Sequence, residues 1–292
     1  MLKTIVFTMS ALVAFAANSI LCRIALGTNL IDAASFTILR LLSGTMVLFL
    51  IIVIRYRHKT ELTSKGSWAA SLMLFIYAST FSFAYTVLDT GTGALILFAA
   101  VQITMILLSL ISGNRLHIIE WTGVILAFSG FVYLVLPNIT SPSASGFLLM
   151  TLSGVAWGLY TLKGRESKSP VTDTAYNFIK TVPLVVVLHL LTMHHATYST
   201  LGILLAVLSG GIASGLGYTA WYIALAGLTA TQAAVLQLLV PVIAALGGMT
   251  FLSEILTLRL SISALMIMGG ILMVVLGRYY FVPTHKYVKE PR

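Results

Sequence analysis

The chain alternates between long apolar runs and short polar breaks. Ten of the runs are about 20 residues long, which is the length that crosses the hydrocarbon core of a bilayer as a helix. They cover residues 3–26, 31–54, 67–88, 91–111, 118–136, 145–163, 171–192, 199–222, 229–251 and 257–279. Alternation at period two, which would indicate the strands of a membrane barrel, is absent. Because a helix satisfies its own backbone hydrogen bonds in lipid, the pattern predicts an all-α integral membrane protein with ten transmembrane helices.

Composition argues against a soluble protein. Of the 292 residues, 59% are hydrophobic and only 9% are charged, and the mean hydropathy is +1.01. A soluble domain contains about 25% charged residues and cannot cover this much apolar surface. The first apolar stretch, Ile5 to Leu26, is longer than the core of a signal peptide, so we predict that it is retained as the first helix. Cys22 is the single cysteine, so no disulfide can form within the chain.

The positive charges are distributed asymmetrically between the predicted spans. If the N-terminus is cytoplasmic, thirteen Lys and Arg residues fall in cytoplasmic segments and two, Arg23 and Arg259, fall in outer segments. Since cytoplasmic loops carry the excess of Lys and Arg, both termini are predicted to be cytoplasmic, in a multi-pass protein of the inner (plasma) membrane. The net charge of +9 is thus explained by loops that lie against lipid. No basic face interleaved with aromatics is present, so no nucleic-acid partner is predicted.

A weak internal repeat appears when the sequence is shifted by 140 residues. Arg40 then superposes on Lys180, Arg23 on Lys163 and Gly130 on Gly270. The repeat predicts a first five-helix half at 1–140, a second at 141–281 and a cytoplasmic tail at 282–292. Because five is an odd number of spans, the second half enters the membrane inverted. Inverted repeats are typical of secondary transporters, whose substrate site lies between the halves.

Several segments carry a familiar pattern. They are Ala14 to Leu26, Ala33 to Gly44, the late run Ala230 to Val242, Leu252-Ser253-Glu254 and the Gly269-Gly270 pair. Together they resemble the EamA-type drug/metabolite transporter superfamily over nearly the whole chain. The first half departs from the family pattern, because Gln102 to Thr104 lacks a proline and Arg115 stands where the family often has Glu.

The resemblance implies a fold of two inverted five-helix halves around a central cavity. It implies that helices 1, 3, 4, 6, 8 and 9 line this cavity, with helices 5 and 10 at the periphery. It also implies export or exchange of amino acids or related metabolites by alternating access.

Four residues are candidates for gating or for handling charge. Arg40 and Lys180 lie within predicted spans, where a cation is costly and is a functional candidate by default; alternatively each snorkels or pairs with an acid such as Asp32 or Asp173. Glu254 is a candidate for coupling or gating, or forms an ion pair with Arg259. Pro241 removes a backbone hydrogen bond within the ninth span and so permits motion or shapes the cavity.

Polar and aromatic side chains on the predicted cavity helices are candidates for substrate binding. Amides in hydrocarbon require partners, and aromatic rings stack on ligands or contact cations. The candidates are Asn18, Tyr77, Phe81, Gln102, Trp157, Tyr160, Tyr218, Trp221 and Gln237. The alternatives are an interfacial aromatic belt, which would include Tyr85 and Tyr222, and amides that join helices. The spacings Gly154–Gly158 and Gly211–Gly215 predict close helix packing.

The motifs of enzymes are absent. The sequence contains no G-x-S-x-G, no H-E-x-x-H and no P-loop, so we predict neither a catalytic residue nor a cofactor, nor transport driven by ATP. His189, His194 and His195 do not make a supported metal site. The predicted function is secondary transport of amino acids or related small metabolites. Phosphorylated metabolites and lipophilic or cationic drugs remain open as alternative substrates. A membrane-embedded enzyme and a channel remain open as alternative functions, and the sequence does not predict the oligomeric state.

Overall fold

The computed structural model describes residues 2–55, 65–111, 116–135, 142–165, 167, 169–225, 227–228 and 236–281. The predicted cytoplasmic tail 282–292, Arg115 and residues 229–235 at the start of the ninth predicted span lie outside the described residues.

The described chain is helical almost throughout. Where the apolar runs predict spans, the structure forms helices, which end at the Gly, Pro and polar residues between the runs. They are α1 (Leu2–Gly27), α2 (Ala33–Arg55), α3 (Trp68–Tyr85), α4 (Thr90–Ile111), α5 (Ile118–Val135), α6 (Ala144–Arg165), α7 (Pro170–Thr192), α8 (Thr200–Val207, continued by Leu208–Leu216 and Gly217–Leu225), α9 (Leu239–Leu252) and α10 (Leu258–Phe281). The all-α prediction is confirmed for the described residues. An isolated antiparallel bridge joins Ile31 to Tyr198 between helices.

Eight of these helices are long and apolar enough to cross a membrane, among the residues that the structure describes. The apolar segments Ile118–Leu134 and Leu239–Leu252 are shorter. Large apolar side chains cover the outside of the bundle; Leu191 and Leu265 are each 75% exposed and Phe251 is 73% exposed. Such a surface requires lipid. The chain is therefore an all-α membrane protein, while the count of ten spans, the inverted halves and the cytoplasmic termini stay predictions.

Glycines bring pairs of helices into backbone contact. A Cβ atom on Gly154 of α6 would lie 2.6 Å from the Leu97 carbonyl oxygen of α4, and Gly158 of α6 faces Thr104 of α4. Gly211 and Gly215 of α8 both face Val47 of α2. The prediction of close packing at these two glycine pairs is confirmed.

The middle of α8 is a π-helix over Leu208–Leu216, which the sequence does not predict. A Cβ on Gly210 would lie 2.0 Å from the Arg40 carbonyl oxygen of α2, so only glycine allows this approach. π-helical segments are rare and are frequent at functional sites. Here the segment lies directly against the turn of α2 that carries Arg40.

Candidate functional site

A cluster of aromatic rings occupies the interior of the bundle. The Trp157 ring of α6 is at its centre, with its centroid 4.7 Å from Tyr77 of α3 and 4.8 Å from Tyr218 of α8. The Tyr160 ring stacks on it at 5.4 Å. We define the aromatic cluster as Phe15, Tyr77, Phe81, Trp157, Tyr160, Tyr218 and Trp221. Six of its seven members are predicted substrate-binding residues, and three helices that are far apart in sequence bring those six together.

Phe15 of α1 is the member that sequence reasoning missed. Its centroid lies 5.7 Å from Trp221, 5.9 Å from Tyr218 and 6.3 Å from Trp157. A signal was present, because Phe15 precedes Asn18 by three residues and therefore shares its helix face. All nine predicted substrate-binding residues are at most 7% exposed, so Trp157 and Trp221 are not part of an aromatic belt that faces the membrane interface.

Arg40 lies beside the aromatic cluster and is 1% exposed. Its Nη2 donates to the Tyr77 hydroxyl at 3.0 Å, and its Nε donates to the Ser214 hydroxyl at 3.4 Å. The guanidinium also lies over the Phe81 ring, 4.7 Å from its centroid. No carboxylate of the described residues pairs with this charge.

Asp32, one of the acids considered as a partner of Arg40, binds backbone amides instead. The pairing of Asp32 with Arg40 is therefore wrong. Its Oδ1 accepts from the Ser35 amide and its Oδ2 from the Thr197 amide, both at 2.9 Å. Burial tends to raise the pKa of this carboxyl, but hydrogen bonds from Ser35 and Thr197 outweigh burial and hold its pKa below the usual value. Asp32 therefore begins α2 and fixes the connection before α8.

Two serines of the π-helical segment complete the polar side of the site. Ser214 accepts from Arg40, and Ser209 donates a short hydrogen bond to the Asn18 side-chain oxygen. Asn18 in turn donates to the Tyr77 hydroxyl at 3.4 Å. Neither serine is predicted from sequence, because the small residues of this stretch look like packing residues until the helix is seen to widen.

Several buried polar atoms at the site have no hydrogen-bond partner. They include Arg40 Nη1, the Tyr160 and Tyr218 hydroxyls and Gln102 Nε2. An unsatisfied buried group costs about 1–3 kcal/mol, and more if it is charged. Each such group in a protein interior calls for an explanation, and a bound water, ion or ligand that supplies the missing partner is one.

The remaining candidates, Gln102 on α4 and Gln237 just before α9, stay apart from these contacts. Gln102 and Gln237 are buried, but neither hydrogen-bonds to a member of the aromatic cluster in the described part of the chain. Residues 236–237 are helical, Leu238 is in a turn and α9 begins at Leu239. The interruption therefore falls just before Pro241, as expected from its missing N–H and from the clash of its ring with the preceding turn.

Glu254 lies at one end of the bundle in a group of ionic contacts. Both of its carboxylate oxygens accept from the Thr90 amide at 2.9 Å, and Oε1 is 3.5 Å from Arg23 Nε. Arg23 also contacts Asp89 at 3.2 Å. The basic residue that the structure places against Glu254 is Arg23, and Arg259, the partner expected from sequence, lies over the Tyr133 ring. We call Arg23, Asp89, Thr90 and Glu254 the Glu254 latch; a small crevice adjoins it, lined in part by Thr92, Met249 and Leu260.

Lys180 belongs to α7, and its side chain reaches the residues that precede α3. Its Nζ donates to the Gly66 carbonyl at 3.3 Å and lies 5.7 Å from the centroid of the Trp68 ring. The Asp173 carboxylate accepts from the Gly66 amide at 3.0 Å and Asn177 accepts from the Ser67 amide at 2.8 Å. We call Gly66, Ser67, Asp173 and Asn177 the Asp173 latch. Gly66 has φ +60°, a left-handed conformation that suits glycine.

Comparison with known proteins adds a family to this geometry. The model of the EamA-like transporter family matches residues 144–276. A protein of Pseudomonas aeruginosa described as uncharacterized is 46% identical over 276 residues, which are 94% of this chain and 96% of that protein. A protein of Archaeoglobus fulgidus named as an uncharacterized transporter is 28% identical over 196 residues, 65% of this chain and 70% of that protein.

The fold also matches a solved structure. A crystal structure aligns with 92% of this chain and 98% of its own chain, with a TM-score of 0.63 and 18% identity. At this identity the match concerns the fold alone.

Proposed function

Since this chain belongs to the EamA-like transporter family, we propose that it is a secondary transporter that exports or exchanges amino acids or related small metabolites by alternating access. The proposal includes ten spans in two inverted halves, 1–140 and 141–281, with both termini cytoplasmic in the inner membrane. The coarser statement, that the chain is a multi-pass membrane transporter, follows from the family and from its long apolar helices.

The observation that carries the substrate assignment is the environment of Arg40. A guanidinium that is 1% exposed, with Nη1 unbonded and no carboxylate partner among the described residues, is a buried positive charge for which that part of the chain supplies no anion. Such a charge is costly to retain and functional sites are where it is retained. An amino acid supplies the anion through its carboxylate, and the aromatic cluster supplies contacts for an apolar side chain.

Alternating access is supported by contacts at two places between the proposed halves. The Glu254 latch joins Arg23 and Thr90 of the first half to Glu254 of the second. The Asp173 latch joins Gly66 and Ser67 of the first half to Asp173 and Asn177 of the second. Each latch consists of a few polar contacts, which can be exchanged for water when one side opens.

The alternative substrates have less support. A phosphate clamp would bring Arg40 and Lys180 together, but Lys180 is engaged by Gly66 and Trp68, at the beginning of α3. A cationic drug would meet an uncompensated positive charge at Arg40, which repels it.

The test is counterflow in proteoliposomes that contain the purified full-length protein and an internal mixture of unlabelled amino acids. Uptake of labelled amino acids is measured with and without a pH gradient, against protein-free liposomes. We expect uptake that depends on internal amino acid and that falls in Trp157→Ala. If folded protein transports no amino acid under any of these conditions, the proposal is wrong.

A further inference from the structure

We infer that Arg40 and Tyr218 together form a clamp for a carboxylate, so that a substrate is selected by its acid group and its amino group is dispensable. The inference rests on the transport function proposed above and names the carboxylate as the group that the site recognises.

The first step concerns the unused donors. The Nε and Nη2 atoms of Arg40 are bound to Ser214 and Tyr77, and these two hydrogen bonds hold the guanidinium in place. Nη1 is buried without a partner, and so is the Tyr218 hydroxyl. Tyr218 follows Ser214, which binds Arg40, by four residues on α8, and the ring centroids of Tyr218 and Tyr77 lie 4.8 and 4.7 Å from that of Trp157. Two donors in one region of the site suit the two oxygens of a carboxylate.

The second step concerns the missing acid. A site that recognises an ammonium group usually offers a carboxylate, and the described acids are all engaged away from the aromatic cluster. Glu254 and Asp89 belong to the Glu254 latch, Asp173 binds Gly66, and Asp32 binds Ser35. The fifth, Glu120, accepts from the His117 amide at the start of α5. An ammonium group would find only neutral groups, the ring faces and the side chains of Asn18, Ser209 and Ser214, beside a cation that repels it.

The third step concerns the amount of charge. A single guanidinium is balanced by a single carboxylate, whereas a phosphate dianion would leave a negative charge buried among rings without a partner. Phosphate esters share the oxyanion chemistry of carboxylates, so they belong in the test as a separate arm.

The probes are matched analogues that differ in one charged group. We would use L-phenylalanine, 3-phenylpropanoate, 2-phenylethylamine and phenyl phosphate, and an aliphatic pair, 4-methylpentanoate and 3-methylbutylamine. Two readouts are taken on the full-length protein: the shift of its thermal unfolding midpoint in detergent, and competition against counterflow of labelled amino acid. The first measures binding without transport, and the second measures binding during transport.

We expect the acids to raise the thermal unfolding midpoint and to compete with labelled amino acid. The amines should do neither, even at about ten times the concentration of the acids, because a charge-assisted hydrogen bond contributes a factor of about ten or more in affinity. Phenyl phosphate is expected to compete more weakly than 3-phenylpropanoate. Stabilisation by an amine that equals or exceeds that of its acid partner would overturn the inference, as would the absence of any effect of all the acids.

Two variants separate recognition from folding. Tyr218→Phe removes one donor and keeps the ring, and Arg40→Lys keeps the charge and removes the fork of donors. Both are expected to weaken 3-phenylpropanoate binding about tenfold or more, while Tyr133→Phe, on peripheral α5, leaves it unchanged. Acid-selective binding without counterflow would sink the transport proposal and keep the clamp. Counterflow that an amine inhibits as well as its acid would sink the clamp and keep transport.

Discussion

Arg40 and Lys180 occupy equivalent positions in the proposed repeat, 140 residues apart, but their surroundings differ. Arg40 is enclosed by α3 and the π-helical segment of α8, bonded to two hydroxyls and lying over an aromatic ring. Lys180 binds the Gly66 carbonyl before α3 and lies beside the exposed Trp68. Two cations that look alike in the sequence therefore differ: Arg40 is an interior charge that no acid of the described residues pairs with, and Lys180 lies near a helix end.

The difference shows that the candidate site is asymmetric. The first half supplies the charge, through α2, and the two rings that it lies over, through α3; the second half supplies four of the seven rings of the aromatic cluster, through α6 and α8. Sequence symmetry of this kind indicates how the chain is built, whereas the contacts of each charge indicate what it does.

The largest difference is expected when each cation is neutralised in turn. Arg40→Met should lower the counterflow rate by about 10–100-fold, since it removes charged hydrogen bonds to substrate that contribute about 1.5–3 kcal/mol. Lys180→Met should lower it by at most about threefold, because a partly exposed cation contributes about 0–1 kcal/mol. Initial rates in proteoliposomes, normalised to folded protein, measure both. Equal losses would show that the two cations act as a pair.

A second test breaks the contact that encloses Arg40. Gly210→Ala places a Cβ 2.0 Å from the Arg40 carbonyl oxygen, so α2 and α8 must separate, at a cost of about 1–3 kcal/mol. We expect a lower thermal unfolding midpoint and weaker substrate binding. Gly269→Ala is the matched control, because nothing lies within 4 Å of a Cβ there. If the two variants unfold at the same temperature, the close approach of α2 and α8 is not as described.

A third test probes the Glu254 latch through the only cysteine of the sequence. Cys22 is fully buried on α1, next in sequence to Arg23 of the Glu254 latch, and its labelling by a small thiol reagent reports opening. Glu254→Gln weakens the contact with Arg23, by about 1 kcal/mol, and should increase the labelling rate severalfold. Arg259→Gln should leave the rate unchanged. An unchanged labelling rate in Glu254→Gln would show that the Glu254 latch does not limit access to Cys22.

The smallest effect is expected at Asp32, the acid that does not pair with Arg40. Because its folded-state pKa is lowered, its contribution to stability is present above the unfolded value of about 4 and is lost as the pH falls through the folded value. The wild-type protein should therefore lose stability as the pH falls, and Asp32→Asn should lose less. The difference in the free energy of unfolding should be under about 1 kcal/mol, because the carboxyl is partly exposed. Unfolding midpoints of both proteins between pH 3 and pH 7 measure this. Loss of transport in Asp32→Asn at neutral pH would instead point to a link with Arg40.

The periodicity of the sequence was sufficient to predict the helices, because apolar runs in lipid leave the backbone no other regular structure. The resemblance to the EamA family, which implies that helices 3, 6 and 8 line a cavity, placed Tyr77, Trp157 and Tyr218 among the candidates. The π-helical segment was beyond reach, because its serines and glycines are equally compatible with ordinary packing. The partners of Glu254 and Arg40 depend on how segments far apart in sequence approach each other, which a single sequence does not encode locally.

The central claim is that the positive charge of Arg40 holds the substrate among the aromatic rings. Two of the four tryptophans, Trp157 and Trp221, lie in the aromatic cluster and should report occupancy by their fluorescence. Titration of the purified protein with 3-phenylpropanoate should give a saturable change in fluorescence, and the same titration of Arg40→Met should give none. A saturable change of the same midpoint in Arg40→Met would contradict the account.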